Sequence, residues 1–329
     1  MNHSERITPV FDIKKTENPA NTANAPNTAN APNAPTRRQL VLKASLATIG
    51  AIGFSGLTAV VSSPARADGR WTSSDEDRMT PEQQQLTDTA ILNFALNLEY
   101  LEAEYYLRAV NGVGLAANEV TGRGRQGVVI GGSKVPFVTT SVQQYAAEIS
   151  RDEHAHVDFL RAALGKAAVA EPEINLVNSF NILAQAAGLG STFDPFANET
   201  NFLIGAFVFE DVGVTAYHGA ARYIHNKDYL DAVAGILAVE AYHASNIRTV
   251  MYERGLISQA QLISNLRNEL GGAGTDQGIV LNGVANIVPA DANGIAFERT
   301  PEEVLNIVYA GGAPNDFGFF PDRVNGAIR

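Results

Sequence analysis

The chain carries one four-residue set twice. Glu99 and Tyr106 precede Glu153 and His156, and Glu210 and Tyr217 precede Glu240 and His243. In each set a Tyr follows the first Glu by seven residues, and the later pair reads Glu-x-x-His. Helix positions seven apart differ by only about 20° around the axis, and positions three apart are surface neighbours. Each set therefore turns two carboxylates and an imidazole inward from a pair of helices. Four Glu and two His from four helices make the ligand shell of a carboxylate-bridged two-metal centre. A chain under this constraint has to wrap four helices around one interior point.

Chance is a poor explanation. With six His in 329 residues, random placement supplies roughly 0.4 Glu-x-x-His matches. Two are present, and their surroundings agree: His156 is followed five residues on by Arg161, and His243 by Arg248. The segments EHAHVDFLR and EAYHASNIR read as copies of one duplicated helix pair.

Periodicity places these residues on long helices. The first is expected over Pro81–Val110, with Leu92, Ala95, Leu96, Glu99, Ala103 and Tyr106 on one face. Thr80-Pro81-Glu82 is its start signal and Asn111-Gly112 its stop. A Gly-rich stretch over 112–138 suggests a loop with a small hairpin, before a second helix over Thr140–Leu164. Residues 165–198 form a long connection with a short helix near Leu176–Ala187. Two more helices follow over Asn198–Ile224 and Tyr229–Gly255, separated by the turn His225-Asn226-Lys227-Asp228. Glu99 lies about 12 residues before its helix ends and Glu153 about 13 after the next begins. Glu210 lies about 15 before its turn and Glu240 about 12 after it, so the paired motifs reach matching heights in two antiparallel hairpins. Beyond Gly255, helices are expected at Ser258–Leu270 and Thr300–Tyr309, with a strand at Ile279–Leu281. We expect residues 256–329 to form an extension packed on the bundle of residues 78–255, with a homo-oligomer contact as a further role.

The N-terminal region belongs to neither part. Residues 1–35 include the low-complexity tract ANTANAPNTANAPNAP, which has nothing to bury and reads as disordered. Residues 36–67 hold the pair Arg37-Arg38, an uncharged stretch from Ala44 to Pro64, and a small-x-small site at Ala65-Arg66-Ala67. This resembles a twin-arginine export signal cleaved near Ala67 and read by the twin-arginine (Tat) export machinery. The expected location is then periplasmic or extracellular. An uncleaved membrane anchor is the rival reading, but Gly, Ser and Thr dilute the apolar run, so no stable anchor is expected after cleavage. The whole chain carries a net charge of −11, and basic residues concentrate in this leader. The remainder repels phosphate backbones, which argues against nucleic-acid partners. There are no cysteines, which excludes disulfides, zinc-thiolate sites, iron–sulfur clusters and thiol nucleophiles.

The segments DTAILNFALNLEYLEAEYY, EISRDEHAHVDFLRAALG and ILAVEAYHASNIR, with the long crossover between the second and third helices, resemble the ferritin-like superfamily. They look like the branch that includes desiccation-related proteins and fungal stress-associated relatives. The resemblance covers about residues 86–254 and implies an all-α, ferritin-like four-helix bundle. Position by position, it implies that Glu99 and Glu210 are terminal carboxylate ligands and Glu153 and Glu240 bridging ones. It likewise implies terminal imidazoles at His156 and His243, with Tyr106 and Tyr217 as the tyrosines found beside such centres. Those tyrosines could carry a transient radical or serve as packed hydrogen-bond donors.

The donor set suits two iron or two manganese ions, because oxygen and imidazole ligands with open positions favour these metals. Two divalent cations would neutralise the four carboxylates; without metal, the carboxylates repel and take up protons. The alternative is a bundle that keeps the six residues as a buried hydrogen-bond network. Glu102, three residues after Glu99, is close enough to be an alternative ligand but has no counterpart near Glu210. Glu104 is expected to be solvated and His154 to lie on the surface. Asp152 and Asp211 are expected at the surface, with a place behind the ligands as the other option. The leading functional reading is a dimetal redox protein that reacts with dioxygen or hydrogen peroxide in oxidative or desiccation stress. The alternative is a non-enzymatic stress-protective or binding protein that uses the bundle as scaffold, and an aromatic-oxidising monooxygenase ranks third.

Overall fold

The computed structural model describes residues 80–312 and 318–329. The leader and low-complexity tract expected over residues 1–67 lie outside the described residues.

Helix α1 (Pro81–Asn111) starts at a capping box in which Thr80 accepts from Gln83 N and the Gln83 side chain accepts from Thr80 N. Pro81 sits in the first turn, where its missing N–H has no helical partner to lose. Gly112, at φ 81°, ends the helix in the left-handed conformation that side chains disfavour. Helix α2 (Thr140–Leu164) returns beside α1, and α4 (Glu199–Ala221) and α5 (Lys227–Glu253) form a second antiparallel hairpin. The hairpins meet through α1 against α4 and α2 against α5. The crossover between α2 and α4 carries the short helix α3 (Asn178–Ala187). The result is an all-α four-helix bundle of the ferritin-like kind, as the spacing of the motifs requires.

Burial divides the four helices into two classes. Every residue of α1 from Ile91 to Leu107 is buried, and so is every residue of α4 from Phe202 to Ala220 except His218. Helices buried on all sides need other elements to cover them. Over α4, that cover includes α6 (Ile257–Leu270) and α7 (Pro301–Val308). Over α1, Asn97 hydrogen-bonds both ways with the backbone of Asn325. Helices α2 and α5 keep the ordinary amphipathic alternation of buried and exposed residues.

The hairpin ends are tied by buried carboxylates. Asp88 of α1 accepts from the backbone N–H groups of His225 and Asn226 at 2.8 and 2.9 Å, pinning the α4–α5 turn. At the opposite end Glu199 accepts from Val138 N and Thr139 N and pairs with Arg254.

One local expectation is corrected and another is met. The 112–138 loop contains no hairpin: its strand β1 (Val129–Ile130) pairs in parallel with β2 (Ile174–Asn175) of the crossover. The expected strand near 279–281 is half of a two-residue hairpin, β3 (Val280–Leu281) with β4 (Val284–Ala285). Asn282-Gly283 turns it, both at positive φ (52° and 79°), the demand that makes Asn-Gly a favoured hairpin turn. Among the described residues, no helix is long and apolar enough to cross a membrane.

Candidate metal centre

The six predicted donors meet inside the bundle. Glu99 lies on α1, Glu153 and His156 on α2, Glu210 on α4, and Glu240 and His243 on α5. All six are buried, and His156 is the most exposed of them at 8%. Ligand atoms of Glu99, Glu153, His156 and Glu240 all lie within 4.8 Å of one another, as do those of Glu153, Glu210 and His243.

Glu153 belongs to both groups, and its two oxygens face different histidines. Oε2 is 3.3 Å from His156 Nδ1, and Oε1 is 2.9 Å from His243 Nδ1. His156 Nδ1 also lies 3.3 Å from Glu99 Oε2 and 3.7 Å from Glu240 Oε1, and His243 Nδ1 lies 3.6 Å from Glu210 Oε2. Each imidazole thus shares its space with a Glu from its own hairpin, and Glu153 joins the two places.

The donor atoms are close but poorly satisfied. Glu99 Oε2, Glu153 Oε1, Glu210 Oε2, both Glu240 oxygens and His243 Nδ1 are buried and make no hydrogen bond. Orphaned buried donors on this scale are rare in folded proteins and call for an explanation. Buried oxygens and nitrogens that lie close together without hydrogen bonds are what a cation could hold. Carboxylate oxygens and imidazole nitrogens are common metal ligands. On this observation the residues fit bound metal.

The electrostatics agree. Burial pushes Glu99 up to about 7 and Glu210 up to about 8, with the Glu153 charge adding to both. Glu240 is driven well above the usual carboxylate range by burial and by Glu153, Glu102, Glu99 and Glu210. Burial also works against an ionised Glu153, but His156 and His243 outweigh it and hold that carboxyl below the usual range. Against the opposing effect of burial, Glu99 and Glu153 lift His156 to about 11, and Glu153 and Glu210 lift His243 to about 9. The pocket gathers more negative charge than its own residues neutralise, so protons or cations have to make up the difference.

The tyrosines cross between the hairpins. Tyr106 of α1 donates to Glu210 of α4, and Tyr217 of α4 donates to Glu99 of α1. Burial raises both hydroxyls well above their usual range, which keeps them protonated donors. Each hydroxyl bonds one oxygen of its carboxylate and leaves the other without a hydrogen bond.

Other acidic residues depart from expectation. Glu104 is buried, not solvated: it accepts from Arg108 Nε at 2.5 Å and from Leu115 N at 2.8 Å. Asp211 is also buried, beneath Arg248 and Arg267, because α6 and the following loop cover this part of α4. Asp152 is half-exposed but serves the site, with its Oδ2 3.2 Å from His243 Nε2. His154 lies at the rim, 3.0 Å from Glu119. Glu102 is buried, and its ligand oxygen lies within 4.8 Å of those of Glu210 and Glu240. Its spacing from Glu99 was the one signal for this in the sequence.

Fold and interior together define a ferritin-like protein with buried carboxylate and imidazole clusters able to hold metal. A family model for the ferritin-like domain matches residues 87–253, and the chain belongs to that family. It is 31% identical over 265 residues to the desiccation-related protein PCC13-62 of Craterostigma plantagineum, an alignment covering 73% of this chain and 83% of that protein. It is 27% identical over 267 residues to the ferritin-like catalase Nec2 of Nesocodon mauritianus, covering 73% of this chain and 84% of that one.

Proposed function

We propose that this protein holds two iron or two manganese ions between its hairpins and consumes hydrogen peroxide outside the cytoplasm. The observation that carries this reading is Glu153, whose two oxygens face two histidines, each in company with its own terminal Glu. The catalase named among the relatives supports peroxide as substrate. When bound, the metal pair supplies reversible redox chemistry by which two hydrogen peroxide molecules become two waters and one dioxygen. In that balance one peroxide gives up the electrons that the other accepts. No separate reductant is needed, which suits a chain without cysteines for an iron–sulfur relay.

The residues divide the work. Glu99 with His156, and Glu210 with His243, would each hold one ion, and Glu153 and Glu240 would be shared. Tyr106 and Tyr217 keep the terminal carboxylates in place by donating to one oxygen of each. Asp152 accepts from His243 Nε2, which fixes the ring and presents Nδ1 to the interior. The apolar walls of α1 and α4 keep bulk water out, which strengthens every charge interaction inside.

Element analysis and peroxide turnover of protein purified from manganese- and iron-grown cells test the proposal. Two ions per chain, and oxygen release that stops on metal removal and returns on reloading, are expected. A metal-loaded protein that leaves peroxide untouched would return the reading to scaffold-based stress protection, which the desiccation-related relative favours. In that case His243→Ala would lose metal and keep its protective effect. For export we propose the twin-arginine route. Lysines at Arg37 and Arg38 should trap the protein inside the cell, and the exported form should begin at Asp68; export that survives the double change rules the route out.

A further inference from the structure

The duplicated shell has one asymmetric member. Aligning the two copies on Glu99 and Glu210 sets Glu102 opposite Gly213. In one hairpin a carboxylate stands one turn beyond the terminal ligand; in the other there is no side chain at all. The two features are complementary in space. A Cβ built on Gly213 would lie 2.1 Å from Glu240 Oε2 and 3.6 Å from Glu102 Oε1. Glu240 therefore occupies the room that a side chain at 213 would take, and Glu102 lies beside it at ordinary contact distance.

Glu102 is 5% exposed, and its Oε2 makes no hydrogen bond. It gathers with Glu210 and Glu240, both of the second hairpin, and is in neither histidine-containing cluster; Glu210 is the residue it shares with the cluster of Glu153, Glu210 and His243. Although it belongs to the first hairpin, it thus serves the second hairpin's end of the pocket. A buried carboxylate with a bare oxygen and no basic partner is unfavourable unless a cation takes that oxygen.

We propose that Glu102 is a further ligand of the ion held by Glu210 and His243, which makes the two metal positions chemically unequal. This rests on the two-metal reading above. One position has Glu99 and His156 with the shared carboxylates; the other has Glu210 and His243 with the same carboxylates and Glu102 in addition. The second position is the more anionic, so it should fill first and bind a divalent ion more tightly.

Stepwise manganese(II) binding to the full chain, followed at equilibrium, tests this. The wild type should show two unequal sites. Glu102→Gln, which keeps size and shape, should weaken the tighter site by at least about tenfold and leave the other within about twofold. Single-site backgrounds locate the effect: Glu102→Gln should weaken the site remaining in His156→Ala and leave that in His243→Ala unchanged. An anomalous-scattering map of manganese-loaded wild-type crystals gives a readout that needs no variant to fold, with a Glu102 oxygen expected at bonding distance from one ion. Two bound ions with Glu102 away from both, or two unchanged affinities in Glu102→Gln, would overturn this inference and leave the two-metal reading standing. A wild type that takes up no manganese or iron would overturn both.

Discussion

The two hairpins repeat the same Glu, Tyr and His positions and share an Arg behind them, but that Arg has different surroundings in each. In both, an Arg lies five residues after the His, and in both it reaches the residue just after the first Glu of the set, Glu99 or Glu210. Arg161 donates to Tyr100, and at 2.8 Å to the Thr121 carbonyl of the 112–138 loop. Arg248 donates at 2.8 Å to Asp211, and at 2.7 Å to the carbonyls of Gly278 and Asn286. Each arginine therefore ties an outer segment to its own hairpin. The first does so at the rim. The second is fully buried in a network where Arg267 links Asp211 to Asp276 and Arg299 pairs with Asp276. The comparison teaches that duplication preserved the inward-facing Glu, Tyr and His positions, while the positions behind them followed whatever segment came to cover each half.

The largest effect should come from the residue both halves share. Glu153→Ala should drop the metal content from two ions per chain to near none and abolish peroxide turnover, as element analysis and oxygen release would show. Retention of two ions would break the equivalence of the hairpins at its centre.

Next come the arginines. Arg248→Met leaves Asp211 with one guanidinium fewer in a dry setting and should cost about 3–5 kcal/mol of stability. Arg161→Met, at a half-exposed rim, should cost about 1 kcal/mol. Denaturant unfolding of the two variants measures the difference, and equal losses would show that the buried network is no more than a surface clamp.

A smaller effect sharpens the contrast between the imidazoles. His243 has Asp152 behind it, whereas the matching position before Glu240 is the apolar Val239. Asp152→Asn should weaken one of the two sites about 10–100-fold and spare the other. Calorimetric titration with manganese would report it, and a uniform change at both sites would count against the assignment.

The smallest is a pH trend in the metal-free protein. Glu99 rises from 4.5 to about 7, Glu210 from 4.5 to about 8, and His243 from 6.5 to about 9. Folded-state values above the unfolded ones give stability that is present at low pH and lost as pH climbs through the folded values. Glu153 has the opposite sign, but its window lies below pH 4.5. The metal-free melting temperature should therefore fall by roughly 5 °C between pH 6 and 8.5. Manganese should restore more of it at the upper end, because cations replace protons at the same atoms. A flat metal-free profile would mean that the carboxylates are not as crowded as their burial implies.

Much of this was legible in the residues. Thr80-Pro81 and Asn111-Gly112 bound α1 to within a residue, and α2 falls where its periodicity placed it. The duplicated Glu, Tyr and His positions converge as their seven- and three-residue spacings demand. Glu104 was less readable, because its burial depends on Leu115 folding back over α1 from the next loop. The burial of Asp211 likewise depends on arginines 37 and 56 residues further along the chain. The parallel pairing of β1 with β2 joins a loop to a crossover some 45 residues on, and two-residue strands carry no pattern that could announce it.

Helical periodicity is a local property, so the sequence by itself determined which faces point inward and that four carboxylates and two imidazoles share them. Distances between helices belong to packing. Only the tertiary structure decided that Glu153 spans both histidines, that each tyrosine serves the opposite hairpin, and that the gap at Gly213 leaves room for Glu240. These follow from which side chains fill the space between two rods, and a one-dimensional pattern does not contain that information.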